Sequence, residues 1–358
     1  MTSGYPPALT ASVRDRLVAR LREMRPIPDE ILEAEGLEVE GHFHRKVGCL
    51  FGTDIGGTKV QSVVTDLNGI VLCELRSQTP AEGGDAVVEL VANHMAQLAL
   101  QAGTQIVAAG IGLPGAIHPV TGHLERAPNL RGLEGRDMRA VFQARLAVPV
   151  AVENDVSCAA LGEAWLGHGA TVETSIGGLA FIALGTGIGM GLAWGDRVLR
   201  GALGAAGEIA VLPIGADPFA SSSHTCGALE SVVSGAALVR DYRANNGQRP
   251  GQTLREIARV EADDPALTQV MQRLAEHAAL AVLSIDAVIN PAVFVFGGGI
   301  GSRPNLLKCV HENLTRLMPD GMPIPDCRVS VLGNRAGVLG AIRAARLAYA
   351  DLLAQTSA

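Results

Sequence analysis

The sequence has few aromatic residues and no surplus of basic ones. Phe, Tyr and Trp make up 3% of its 358 residues, and the formal net charge is −7 at pH 7. Because an acidic surface repels phosphate backbones and anionic headgroups, we expect neither nucleic acid nor a membrane as a partner. A nucleotide is still allowed, since backbone N–H groups can hold a phosphate without Lys or Arg.

The chain also lacks the usual marks of export, membrane insertion and disulfide bonding. It contains no run of 18 apolar residues, and Pro6 and Pro7 fall where the apolar part of a signal peptide would lie. The six Cys residues are dispersed without a C-x-x-C pair, which is typical of small buried side chains in a reducing compartment. These absences favour a cytoplasmic protein.

Glycine and apolar residues are abundant, with 43 Gly and 48% hydrophobic residues. That mixture is typical of an α/β protein with tight turns and close helix–sheet contacts. Single cores rarely grow beyond about 250–300 residues, so the length predicts two domains.

Residues 1–46 differ from the rest of the chain. Residues 11–24 have helical spacing, Pro26 and Pro28 interrupt it, and an acidic stretch follows, which predicts a helical N-terminal extension. Its Arg residues indicate DNA binding only weakly, because the segment is too short for a winged helix-turn-helix and its second half is acidic.

From residue 47 onward the pattern repeats in two halves. Each half opens with a strand, a glycine-rich turn and two further strands, and then alternates helices with strands. We expect a small domain over 47–172, with a C-terminal helix over 336–355 packing back on it, and a large domain over 173–335. This is a duplicated α/β architecture rather than one doubly wound sheet.

Two glycine-rich turns between strands are candidate phosphate sites. D-I-G-G-T-K (54–59) lacks the spacing of a Walker A loop. G-T-G-I-G-M-G (185–191) precedes a strand rather than a helix, which excludes a dinucleotide fingerprint. Glycines let the backbone approach a phosphate closely, although a plain hairpin turn would also use them. Asp54 could hold a metal-bound water, and Thr58 adds a hydroxyl.

A third candidate, E-N-D (153–155), ends an apolar strand, where ligand-facing residues of α/β proteins gather. The carboxylate of Asp155 could take a proton from an attacking hydroxyl. The alternative is that Asn154 or Asp155 only caps the next helix, whose apolar pattern covers 157–165. Asn129, Glu208 and Glu230 are further candidate polar groups, although lone surface carboxylates are usually only solvated.

In this order the motifs resemble the ROK family of bacterial sugar kinases and sugar-responsive repressors, over about residues 48–348. The resembling segments, besides D-I-G-G-T-K, are G-L-P-G (112–115), A-P-N-L (127–130), V-E-N-D (152–155), L-G-T-G-I-G-M-G (184–191), G-E-I (207–209), A-L-E-S-V-V-S-G (228–235) and F-G-G-G-I (296–300). The resemblance implies a duplicated actin-like ATPase (ribonuclease H-like) fold, with a cleft between its two domains.

The resemblance also implies a reaction and roles for single residues. Phosphoryl transfer would run from ATP–Mg²⁺ to a sugar hydroxyl, with Asp155 as the catalytic base. The ATP side would consist of Asp54, Gly56, Gly57, Thr58, Lys59, Gly185, Thr186, Gly187, Gly298 and Gly299. The sugar side would consist of Gly115, Asn129, Asn154, Asp155, Glu208 and Glu230. A glucokinase-like homodimer or homotetramer is expected.

One departure from the family pattern concerns zinc and the choice of sugar. The family commonly has E-x-G-H and a Cys cluster that binds structural zinc, whereas Val211 stands here in place of the His. The Cys cluster is reduced to His224 and Cys226, too few for a four-ligand shell. We expect no structural zinc, apolar packing of residues 211–219 instead, and a hexose or an amino sugar as substrate.

Two other functions remain open at this point. The first is a non-catalytic, sugar-responsive regulator of the same family, against which the intact phosphate motifs and Asp155 argue. The second is an actin-like assembly or chaperone ATPase that shares only the nucleotide fold, against which Asn129, Glu208 and Glu230 argue.

Overall fold

The structure, a computed structural model, describes residues 11–24, 27, 48–127, 130, 132–258 and 264–355. The chain divides into two compact units. The first comprises Met1–Ala170, Gly195–Ala206 and Arg335–Ala358, and the second comprises Thr171–Trp194 and Gly207–Asn334.

The helices and strands alternate as the sequence pattern predicts. Up to residue 166 they are α1 (Ala11–Arg22), β1 (Cys49–Ile55), β2 (Lys59–Thr65), β3 (Val71–Gln78), α2 (Gly84–Ala102), β4 (Ile106–Leu113), β5 (Ala116–Ile117), β6 (Leu124–Glu125), α3 (Met138–Leu146), β7 (Val150–Asn154) and α4 (Asp155–Leu166). Then follow α5 (Thr174–Gly177), β8 (Leu179–Leu184), β9 (Ile188–Trp194), β10 (Arg197–Val198), α6 (Ser223–Cys226), α7 (Glu230–Val233), α8 (Gly235–Ala244), α9 (Leu254–Ile257), α10 (Pro265–Ile289), β11 (Val293–Gly297), α11 (Gly298–Gly301), α12 (Pro304–Leu317), β12 (Cys327–Val329) and α13 (Ala336–Gln355). Short 3₁₀ turns lie at His168–Ala170, Ile209–Val211 and Gly333–Arg335.

The first unit is built on a five-stranded sheet with the order β3-β2-β1-β4-β7. β1 pairs with β2 in antiparallel and with β4 in parallel, and β4 pairs in parallel with β7. Asp54 of β1 lies opposite Gly112 of β4, and Leu113 lies opposite Asn154 of β7. The carboxyl ends of these three strands therefore meet at one edge, where ligands of α/β sheets usually bind.

Helix α13 packs directly on the centre of this sheet. A Cβ atom on Gly110 would collide with the carbonyl oxygen of Ala341, and one on Gly52 would lie 2.8 Å from a side-chain carbon of Ile342. The two glycines allow the helix to lie this close. On the other face, Phe51, Ile111 and Phe142 belong to a cluster of buried side chains.

The second unit repeats this arrangement. Within it the strand order is β9-β8-β11-β12, with β9 antiparallel to β8 and the remaining pairs parallel. Helix α10 begins after the N-cap Asp264, whose side chain accepts the N–H of Leu267, and ends at Asn290 in the left-handed conformation. Leu274 and Phe294 belong to the buried core of this unit.

The N-terminal helix α1 is held on α13 by two buried arginines. Arg343 donates hydrogen bonds to the carbonyls of Leu21 (2.8 Å) and Arg22 (2.6 Å), and Arg346 donates to those of Arg20 (3.0 Å) and Glu23 (2.9 Å). Both guanidinium groups therefore bind carbonyls at and just after the C-terminus of α1, where the N–H partners of a continuing helix are missing.

These arginines also lie over the ring of Trp165 on α4, 5.8 and 5.3 Å from its centroid. Burial lowers the pKa of Arg343 to about 10 and is the main cause that lowers the pKa of Arg346 to about 9. Removal of their charges from water is therefore costly, and the carbonyl bonds offset that cost.

We expect Arg343→Met to lower the free energy of unfolding by about 1–3 kcal/mol, because the carbonyls of Leu21 and Arg22 lose a buried donor. Urea denaturation measures the loss. Arg22→Met is the matched control, since its exposed ion pair with Asp351 is worth less than about 1 kcal/mol. Equal stability of the two variants would contradict a stabilising role for the Arg343 bonds.

None of the helices in the described ranges is long and apolar enough to cross a membrane.

Candidate functional site

The turn of the D-I-G-G-T-K motif joins β1 to β2, and hydrogen bonds hold it on one side. The N–H of Gly56 donates to the carbonyl of Lys59 at 2.8 Å. Thr79 donates its hydroxyl to the carbonyl of Gly56 at 2.6 Å and its N–H to the carbonyl of Thr58 at 3.1 Å. Gly57, Thr58 and Lys59 remain exposed. This side of the turn is open to a ligand.

The E-N-D motif forms the junction between β7 and α4. Asn154 is the N-cap: its side-chain oxygen accepts the N–H groups of Val156 and Ser157, each at 3.0 Å. Its amide nitrogen donates to the carbonyl of Gly115 at 3.0 Å and to Asp155 Oδ1 at 3.1 Å. The capping role therefore belongs to Asn154, and Asp155 is the first residue of the helix.

Asp54 and Asp155 form a pair of interacting carboxylates at this sheet edge. Burial, and secondly the charge of Asp155, raise the pKa of Asp54 to about 7, while the charge of Lys59 acts in the opposite direction. Carboxylate oxygens are the ligands that a hard divalent cation such as Mg²⁺ prefers, and Asp54 lies at the edge where β1, β4 and β7 end. The donor chemistry of Asp54 and Asp155 would therefore suit a magnesium ion.

Sequence reasoning missed a half-buried ion pair next to Asp155. Glu153 accepts a hydrogen bond from Nε of Arg200 at 3.0 Å, and a second guanidinium nitrogen also contacts the carboxylate. The side chain of Glu153 is only 6% exposed. Arg200 lies in the segment Gly195–Ala206, which returns to the first unit. Both residues are unremarkable in sequence, and only their juxtaposition indicates a structural role.

The second glycine-rich turn joins β8 to β9 in the second unit. Gly185 has an ordinary φ, and the nearest neighbour of a Cβ atom placed on it would be the N of Gly299, 3.8 Å away. Neither backbone conformation nor packing requires a glycine at this position, which agrees with a site that a ligand approaches closely. Thr186 is exposed at the tip of the turn.

Glu230 supports this turn from α7. Its Oε2 accepts the N–H of Ile188 at 3.0 Å, and a Cβ atom on Gly187 would lie 2.5 Å from the same oxygen. Gly187 thus makes room for the carboxylate of Glu230. The structure places the Glu230 carboxylate against the second glycine-rich turn, and its expected contact with a sugar stays a prediction.

The F-G-G-G-I loop adjoins the same turn. Gly298 has φ +81°, and a Cβ atom on it would collide with the carbonyl of Leu184 at the end of β8. Gly298 and Gly299 are exposed. The structure therefore brings together Gly185, Gly187, Gly298 and Gly299, all expected on the nucleotide side.

The remaining expected sugar residues are placed as follows. Gly115 has φ +108°, which favours glycine, and its carbonyl is held by Asn154. Glu208 is exposed and begins the 3₁₀ turn Ile209–Val211. Asn129 lies outside the described residues.

The segment expected to pack in place of a zinc site does so only in part. Leu212 and Ile214 pack against the core of the second unit. Val211 and Phe219, in contrast, are 67% and 88% exposed. The sequence interpretation ordered this segment by packing and relied in part on the apolar side chain of Val211, which is exposed instead.

We expect the purified protein to contain less than about 0.1 zinc per chain. A structural zinc site needs four ligands in a closed shell. No group of three or more His, Cys, Asp or Glu side chains that could hold a metal occurs within the described ranges. Elemental analysis after gel filtration measures the content. One zinc per chain, or unfolding in chelator that only zinc reverses, would contradict this expectation.

The chain is similar to two curated sugar kinases. It is 30% identical over 319 residues to a glucokinase of Streptomyces coelicolor, which covers 84% of this chain and 98% of that protein. It is 29% identical over 307 residues to an N-acetyl-D-glucosamine kinase of Pasteurella multocida, with 81% and 97% covered.

Two solved structures are also similar to this chain over most of its length. A ROK family glucokinase from Streptomyces griseus, in complex with glucose and AMPPNP, has a TM-score of 0.70 and 27% identity, and covers 84% of this chain and 99% of its own. A ROK family transcriptional regulator, a homologue of the Escherichia coli MLC protein, has a TM-score of 0.71 and 19% identity, with 96% and 89% covered.

The expected actin-like fold is thereby confirmed. The sequence also matches the family description "ROK family" over residues 50–347. This match spans most of the chain, includes both phosphate turns and the E-N-D motif, and agrees with the relatives and structures above. The chain belongs to the ROK family.

Proposed function

We propose that this protein is an ATP-dependent sugar kinase that phosphorylates a hydroxyl of a hexose or an amino sugar. The observation that carries the proposal is the pairing of Asp54 and Asp155 at one sheet edge, next to the exposed turn of Gly57 and Thr58. A base candidate, a carboxylate suited to a metal and an open phosphate turn are the parts that phosphoryl transfer requires.

In the proposed reaction, Asp155 accepts the proton of the sugar hydroxyl as the oxygen attacks the γ-phosphorus of ATP. An O–P bond forms to the sugar, the bond between the γ-phosphorus and the bridging oxygen breaks, and ADP leaves. Asn154 holds Asp155 in place through the 3.1 Å bond to Oδ1. When bound with ATP, Mg²⁺ neutralises the charge on the phosphoryl oxygens. Asp54 would orient that ion through a water molecule.

The glycine-rich elements would bind the nucleotide. Gly56, Gly57, Thr58 and Lys59 would contact phosphate from the first unit. Gly185, Thr186, Gly187, Gly298 and Gly299 would do so from the second, with the last two on the adenosine side. For the sugar, we propose Gly115, Asn129, Asn154, Asp155, Glu208 and Glu230. The relatives named glucokinase and N-acetyl-D-glucosamine kinase support a hexose-type acceptor.

The decisive experiment is a panel of sugars and amino sugars offered with ATP and Mg²⁺, scored by ADP release and by mass spectrometry of the phosphorylated product. A parallel arm replaces ATP with inorganic polyphosphate. At least one hexose or amino sugar should be turned over in the presence of ATP. Absence of product with every acceptor would overturn the proposal.

A sugar-responsive regulator is the second candidate. The regulator structure aligns with 96% of this chain, whereas the glucokinase structure aligns with 84%. The same panel of sugars distinguishes the two candidates, since a regulator would bind a sugar without ADP release.

We further propose that the protein is a homodimer or homotetramer. Light scattering during gel filtration tests this.

A further inference from the structure

Gly337 is a glycine that neither backbone conformation nor helix formation explains. It is the second residue of α13, and its φ is not left-handed. Glycine in a helix is less favourable than alanine, because it loses more backbone freedom on folding. We therefore expect a neighbouring group to occupy the space that a side chain at position 337 would need.

That neighbour is Asp54. A Cβ atom placed on Gly337 would lie 2.9 Å from Oδ2, 3.1 Å from Cγ and 3.4 Å from Oδ1 of Asp54. These three atoms of one carboxyl group are the nearest that a methyl group would meet. The atoms that the methyl group would meet are the far end of the Asp54 side chain, and both Gly337 and Asp54 are partly exposed.

The helix itself cannot withdraw to make room. One turn further on, a Cβ atom on Gly340 would collide with the carbonyl oxygen of Cys158. The carbonyl oxygen of Ala341 likewise occupies the place where a Cβ atom on Gly110 would lie. Backbone therefore meets backbone on both sides of α13. A methyl group at position 337 would move the Asp54 carboxylate rather than the helix.

We propose that Gly337 is a positioning residue that keeps open the space in which the Asp54 carboxylate orders the magnesium ion of the nucleotide. The functional half of this inference rests on the proposed kinase activity. Its structural half, the packing of position 337 against Asp54, does not.

The first test is Gly337→Ala in the full chain. The melting temperature without metal or nucleotide should stay the same or rise by about 1–3 °C, because alanine favours the helix. With ATP and the best acceptor sugar, kcat should fall by about 10–100-fold, and half-maximal activity should need more Mg²⁺. The KM for the sugar should remain unchanged.

Gly340→Ala is the matched control. It should instead lower the melting temperature, because its methyl group meets the backbone.

The second test needs no catalysis. Gly337→Ala is compared in the wild-type chain and in an Asp54→Ala chain by melting temperature, without metal or nucleotide. Because Asp54→Ala removes the carboxyl group, Gly337→Ala should stabilise that chain more than it stabilises the wild type. An equal change in melting temperature in both chains would contradict the packing of position 337 against Asp54. An unchanged kcat and Mg²⁺ requirement in the active enzyme would overturn the positioning role. A wild type that phosphorylates no sugar would overturn the kinase proposal and the functional half, and the melting comparison would still decide the packing.

Discussion

Asp155→Asn is expected to lower kcat by roughly 10²–10⁴-fold while sugar binding stays within about two-fold of the wild type. The amide has nearly the same shape as the carboxylate but cannot take a proton at neutral pH. Its oxygen can still accept the N–H of Val156, which donates to Asp155 Oδ1 at 2.9 Å. The fold should therefore remain intact, and the loss should fall on the chemical step. Steady-state kinetics with the best acceptor, together with calorimetric sugar binding, measure both quantities.

The capping alternative makes a different prediction for the same variant. If Asp155 served only helix α4, its loss would lower stability and spare kcat. Asp137→Asn is the matched control, because Asp137 caps α3 by accepting the N–H of Ala140 at 3.1 Å, outside the proposed site. It should cost about 1 kcal/mol or less of stability and leave kcat unchanged. Wild-type kcat in Asp155→Asn would rule out Asp155 as the base.

Asp54→Asn is expected to make the protein more stable and less active at pH 8. The ordinary pKa of an Asp is 3.8, and that of Asp54 in the folded protein is raised to about 7. Between these values the folded protein keeps a proton that the unfolded chain has released. The free energy of unfolding therefore falls as pH rises from about 4 to about 7, and it is constant for this group outside that window.

Asparagine cannot ionise, so this pH dependence disappears in the variant. Near pH 4 both proteins should have similar stability, and at pH 8 the variant should be more stable by at least about 1 kcal/mol, with an upper limit of about 4 kcal/mol. Turnover should fall by about 10²-fold, because an amide is a weaker partner for a metal-bound water. Urea denaturation at pH 4.5 and 8, without magnesium or nucleotide, gives the stability difference.

The exposed Asp320 provides the control for this experiment. Asp320→Asn should change neither the pH dependence of stability nor turnover. A gain in Asp54→Asn that is the same at both pH values would show that ionisation of Asp54 is not its source. Full activity of the variant would remove Asp54 from the metal-binding role that we propose.

Much of the fold could be predicted because it depends on local patterns. Strand, turn and helix signals gave the order of elements, and the boundaries differed by a few residues. The strand expected from residue 47 up to the D-I-G-G-T-K turn is observed as Cys49–Ile55, so Asp54 belongs to the strand rather than to the turn. Likewise, α4 begins at Asp155 rather than at residue 157. Both shifts arise because backbone pairing and capping extend elements beyond their apolar core.

The pairing of functional groups was less predictable. The bond between the Glu230 carboxylate and the N–H of Ile188 was not predicted, because it depends on how α7 meets the turn after β8. Packing of Val211 was expected from its apolar character alone, although it is 67% exposed. Hydrophobicity indicates that a side chain favours burial, and only the packed structure shows whether a surface is available to bury it.

The family, the two-part α/β architecture and the positions of the glycine-rich turns and of E-N-D follow from the sequence alone. These features are encoded in short stretches whose residue types and spacing fix local backbone geometry. The influence of Asp155 on Asp54, the packing of Asp54 against Gly337 and the bonds from Arg343 to the N-terminal helix are visible only in the folded structure. Such contacts join residues far apart in the chain, so they depend on how helices and strands pack, which no local pattern specifies.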